Sequence, residues 1–292
     1  MEITRTLLPS SSCSSLHLRT PLLHFHVSPS HPQSLPQDVL QSQTSLPIPS
    51  RTRFRKPLAA SDGTTSATKV AVDDPSLAVK KKAMDVSPEL KGTTIFLVGM
   101  KSSIKTSLGK FLANLLRYYY FDSDSLVEEA AGTQSATKSL RETDKSGFQE
   151  SETEVLKQLS SMGRLVVCAG DGATQSSTNL ALLRHGITIW IDVPLDIVAR
   201  GVVEDQTQLS AYDLSTSVSY PEVLTHLSTS YEELRGGYAI ADATVSLQQV
   251  AGKLGYDEID DVTTEDMALE VLKEVEKLTR VKKMMEAAAR PF

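Results

Sequence analysis

The residues of this chain best suited to chemistry are Gly99-Met100-Lys101-Ser102-Ser103-Ile104-Lys105-Thr106. They have the length and position of the G-x-x-x-x-G-K-[ST] phosphate loop, set between an apolar strand-like run and a helical one. In such a loop backbone amides curl around phosphate oxygens, the lysine neutralises the terminal phosphates, and the hydroxyl binds magnesium. Gly99, Lys105 and Thr106 keep those types, but Ile104 stands where the second glycine belongs. A β-branched residue held there in a left-handed conformation is expected to carry about 1–3 kcal/mol of strain and to crowd the phosphate. Asp122 and Asp124 follow a second strand-like run. Cys168 reads as an inert core thiol. His185 and His226 have no partner at ligand spacing, so no metal site and no zinc are expected.

These residues must be positioned by alternating elements. Thr94 to Val98, Tyr119 to Phe121, Arg164 to Cys168, Thr188 to Val193 and Ala243 to Leu247 read as strands. Helical spacing runs through Lys105 to Arg117, Leu126 to Ala131, Glu152 to Met162, Leu180 to Arg184 and the charged stretch Thr264 to Ala289. Five strands alternating with helices predict an α/β architecture with a mainly parallel sheet.

That context resembles the shikimate kinase family. The resemblance is carried by Ile95 to Met100 with Lys105-Thr106, Phe121-Asp122-Ser123-Asp124, Gly147 to Glu150 leading to Glu152, Val166 to Ala173, and Ile191 to Leu195, in family order over roughly residues 92 to 250. It implies a P-loop, nucleoside-monophosphate-kinase-like three-layer fold with a five-stranded parallel sheet, and a family reaction in which ATP phosphorylates the 3-hydroxyl of shikimate. It also implies damage. The arginine that pairs with the substrate carboxylate is Gln149, which removes a charge-assisted bidentate contact. The middle of the triple glycine is Asp171, a carboxylate where anionic groups should lie. A second substrate arginine, four residues before Tyr238, is Leu234, with Arg235 one residue late. The lid between Arg200 and Arg235 has no Lys or Arg, and Gln206-Thr207-Gln208-Leu209 occupies the segment whose arginine is typically worth about 10³–10⁵ in rate. The resemblance therefore leans to the catalytically inactive branch in plant chloroplasts, which is associated with chloroplast biogenesis. No residue is assigned a catalytic role. The competing reading is an active small-molecule kinase with a changed acceptor, because Lys105, Thr106, Asp122 and Asp124 are the types that hold Mg-ATP and a hydroxylated substrate.

Composition bounds the rest. The first sixty residues carry six basic groups against two acidic ones and are rich in Ser and Pro, so of the net charge of −6 the remainder carries −10. That leader is expected to be a chloroplast transit peptide over residues 1–60, followed by a disordered linker over 61–90 and one folded domain over 91–292. The acidic balance argues against nonspecific nucleic-acid binding, and no apolar run is long enough to span a membrane. The expected partner is a plastid protein or a small ligand; no cofactor is required, although residual Mg-ATP binding is compatible with the retained loop residues.

Overall fold

Five short apolar runs form the strands β1 (Ile95–Val98), β2 (Tyr119–Asp122), β3 (Leu165–Cys168), β4 (Ile187–Asp192) and β5 (Ala243–Ser246). The computed structural model describes residues 75–131, 145–204 and 219–289. Every strand pair is parallel, in the order β2-β3-β1-β4-β5, so every connection must cross back over a face of the sheet. β1 and β3 are buried at every residue, as expected for central strands covered on both faces. Leu97 pairs with Cys168 on one side and Ile189 on the other, which places the ends of β1, β3 and β4 level with one another.

The covering helices are α1 (Pro75–Leu90), α2 (Ser103–Leu116), α3 (Ser123–Ala131), α4 (Lys145–Ser161), α5 (Ser177–Leu183), α6 (Leu195–Glu204), α7 (Tyr220–Tyr238), α8 (Leu247–Leu254) and α9 (Thr264–Ala288). α9 begins with a capping box in which the Thr263 hydroxyl accepts from the Asp266 amide at 3.2 Å while the Asp266 carboxylate accepts from the Thr263 amide at 3.0 Å. Its apolar stripe of Met267, Val271, Leu272 and Val275 is fully buried.

Part of the stretch expected to be a linker is helix. In α1, Val79, Ala83, Val86 and Leu90 are buried, a spacing of four, three and four that lays one apolar stripe along α9. Lys82 pairs with Glu276 at 2.6 Å and Glu89 pairs with Lys283, so the polar edges are matched as well. The expected transit peptide, the linker up to residue 74 and the lid segment Gln206 to Leu209 lie outside the described residues.

Candidate functional site

The candidate site lies where β1, whose two neighbours are β3 and β4, releases its chain at the C-terminal edge of the sheet, the usual ligand position in open α/β folds. Gly99 leaves β1 at φ 128°, and a Cβ there would overlap the Ile191 carbonyl, so only glycine fits the turn. Ser102 then caps α2 in extended conformation, its hydroxyl accepting from the Lys105 amide at 3.3 Å.

That cap corrects the expectation at Ile104. The residue sits in the first turn of α2 and is not among the residues with positive φ, so the left-handed strain foreseen from the motif is absent. Its half-buried side chain instead lines a small cavity of about 210 Å³ with Leu108, Ile197, Leu247 and Met267, on the side of the C-terminal helices. Ile104 serves packing, and its Cβ needs no special backbone.

Lys105 is almost fully buried, and its ammonium donates to the Gly99 carbonyl at 2.6 Å and the Ala169 carbonyl at 3.0 Å, bridging the ends of β1 and β3. Thr106, the next residue of α2, lies half-buried beside the Tyr120 phenol. At the end of β3, Gly170 donates its amide to Ser123 Oγ at 2.9 Å, and Asp171 opens a single 3₁₀ turn through Thr174. A Cβ on Gly170 would overlap the Asp124 carboxylate and one on Gly172 the Glu152 carboxylate, which is why glycines persist on both sides of Asp171.

Asp171 accepts a hydrogen bond from Tyr238 Oη at 2.9 Å, and the Tyr238 ring is held 5.9 Å from that of Trp190. Burial raises the carboxyl pKa of Asp171, Lys105 opposes that rise, and the Asp124 charge adds to it. Asp124 forms an ion pair with Lys101 at 3.4 Å. Burial alone would lower the lysine's pKa, but Asp124, Asp122 and Glu128 more than offset this and raise it. Asp122 has become a cap for α3, accepting from the Ser125 amide at 3.1 Å and from its hydroxyl at 3.4 Å.

The structure thus gathers Gly99, Lys105, Asp122, Asp124 and Asp171 at one edge of the sheet. It does not gather Ile104, which serves the opposite side of α2, or Leu234, which is buried in the apolar core while Arg235 is exposed. Gln149 is exposed on α4, three residues before the buried Glu152. Sequence reasoning gave no role to Lys101, Glu152 or Tyr238. Lys101 occupies a variable place in the motif, and the other two become relevant only through Gly172 and Asp171, which are distant in the chain. Chemically the cluster holds its own counter-charges, with Lys101 and Lys105 facing the carboxylates of Asp122, Asp124 and Asp171. Among the described residues, no group of three or more His, Cys, Asp or Glu is placed to hold a metal ion.

Comparison with known proteins agrees with this geometry. The shikimate kinase family profile matches residues 101–254. The Arabidopsis thaliana protein named probable inactive shikimate kinase like 1, chloroplastic, is 55% identical over 267 residues, 91% of this chain and 92% of that one. Shikimate kinase 3, chloroplastic, of Oryza sativa subsp. japonica is 39% identical over 213 residues, 73% of this chain and 74% of that one. Among solved structures, shikimate kinase from Acinetobacter baumannii in complex with shikimate has a TM-score of 0.52 at 24% identity over 66% of this chain and 97% of that one, a likeness of fold. Sheet order, loop position and these relatives lead to one assignment: the chain belongs to the shikimate kinase family.

Proposed function

We propose that this protein is a chloroplast member of the family that has lost phosphoryl transfer and keeps the kinase architecture for a binding or regulatory role such as one in chloroplast biogenesis. The observation that carries the reading is Lys105, whose ammonium is buried and committed to the Gly99 and Ala169 carbonyls. A phosphate must compete with both of those bonds. The acceptor side points the same way: Asp171 is tied to Tyr238, Leu234 is apolar core, and Gln149 offers no cation. Positioning and charge stabilisation make up nearly all of catalysis in phosphoryl transfer, so loss of the groups that supply them removes the rate.

The family's phosphoryl donor, Mg-ATP, fits the frame of Gly99, Lys105 and Thr106 once Lys105 gives up its carbonyls, so the binding proposed is weak. The purified protein, assayed with ATP and shikimate, should show no turnover. A rate within tenfold of the typical kinase range of roughly 1–100 s⁻¹ would overturn the proposal. The second reading, a kinase for a different small acceptor, is favoured by the presence of Lys105, Asp122 and Asp124 at one sheet edge. Calorimetry with millimolar Mg-ATP eliminates it if no binding is seen, because a kinase that binds no nucleotide at that concentration has no donor.

A further inference from the structure

The opposite edge of the sheet carries a second concave site. The segments that lead into β1, β2 and β3 present Lys91, Arg117 and Arg164, and these are the non-glycine residues with positive φ among those described, at 49°, 56° and 60°. With Lys80 of α1 they surround a groove of about 760 Å³ that has Met84 on its wall and Tyr118 at its side. Among the described residues, no carboxylate lines this groove. None of the four cations is ion-paired with a carboxylate among the described residues, whereas Lys82 and Lys283, on the neighbouring faces of α1 and α9, are both paired.

A cation after a helix C-terminus is favoured by the helix dipole, which accounts for Lys91 after α1 and Arg117 after α2 taken singly. The dipole does not account for three such residues converging with Lys80 on one concavity. Nor does it account for long side chains at left-handed positions where glycine or asparagine is preferred. Four unneutralised cations repel one another, and an anion between them relieves that repulsion. The buried Tyr118 hydroxyl lies beside the Gly92 backbone and within the influence of Arg164, so its ring backs this wall of the groove.

We propose that this groove binds a small organic phosphate. Arg117 and Arg164 supply paired N–H donors to phosphate oxygens, Lys80 and Lys91 neutralise the remaining charge, and Met84 covers the carbon skeleton. The volume lies in the range of sites that enclose ligands of nucleotide or sugar-phosphate size. The site is independent of the phosphate loop, because Lys91 precedes β1 and Gly99 follows it.

The test follows the arginine Nε–Hε resonances of the full chain during titration with inorganic pyrophosphate. The wild type is compared with R117Q/R164Q and with K277Q/R280Q, a control on the exposed face of α9. Saturable binding is expected in the wild type and the control, weaker by about tenfold or more in R117Q/R164Q and diminishing as salt is raised. K80Q/K91Q should weaken it in the same direction, and serves if the arginine variant melts differently from the wild type. Co-sedimentation with phosphatidylglycerol/phosphatidylcholine vesicles separates the sources. Arginine-dependent binding to vesicles without a response to pyrophosphate assigns the phosphate to a lipid headgroup, and a response to pyrophosphate assigns it to a free phosphate. The proposal is overturned if neither probe binds, or if folded R117Q/R164Q and K80Q/K91Q bind as the wild type does.

Discussion

Replacing Ile104 by glycine separates two accounts of the phosphate loop. If the missing glycine were what spoils the loop, Ile104→Gly should release strain and improve nucleotide binding. The structure argues otherwise, since Ile104 is already in the first turn of α2 and its side chain packs towards Leu247 and Met267. Full burial of such a side chain is worth about 1.5–3 kcal/mol, so a half-buried one contributes about 1. Glycine in place of isoleucine in a helix costs about 0.5 kcal/mol more. The variant should therefore lose about 1.5–2 kcal/mol, a fall in melting temperature of about 3–8 °C for a domain of this size. Ile104→Ala, which keeps helix propensity, should lose only the packing share. Thermal unfolding by circular dichroism measures the first effect and Mg-ATP calorimetry the second, with affinity expected to stay level because Lys105 is still held by two carbonyls. Unchanged stability, or a gain in Mg-ATP affinity of tenfold, would refute the reasoning.

Asp171→Asn should stabilise the protein at neutral pH, because the folded state raises the pKa of Asp171 and so disfavours its ionised form. The wild type regains that stability as the pH falls through the carboxylate range, so urea midpoints of the two should converge in acid; a constant difference would contradict the assignment. Gly109→Ala puts a Cβ 2.7 Å from Cys168 Sγ and 2.9 Å from Tyr120 Cε2, and should cost about 1–3 kcal/mol in a urea titration. Burial pushes the Cys168 thiol up to about 11, so iodoacetamide at pH 8 should label it only after unfolding; rapid labelling of the native protein would show otherwise.

The strands were legible because parallel, doubly covered strands are short unbroken apolar runs, and TIFLV and RLVVC need no other signal. α9 was legible from its amphipathic stripe. α1 escaped because Lys80, Lys81 and Lys82 interrupt a low-hydrophobicity stretch; its signal was the spacing of Val79, Ala83, Val86 and Leu90, faint until a second apolar stripe is known to face it. At the site, residue types could be read locally but contacts could not. The bond from Lys105 to Ala169 spans 64 residues, and that from Tyr238 to Asp171 spans 67. Ile104 misled because the motif defines a position by what glycine does there, whereas this chain uses it as the apolar start of a helix.

The pairing of α1 with α9 bears on the order in which the chain can assemble. Lys82 and Glu276 are 194 residues apart, so the apolar stripe of α1 is made well before α9 and meets that cover only after the intervening residues have emerged. During translation, and during any N-terminus-first passage through a translocation pore, Val79, Val86 and Leu90 are left as an unsatisfied sticky strip. Completion of this packing therefore waits on the 25-residue helix α9.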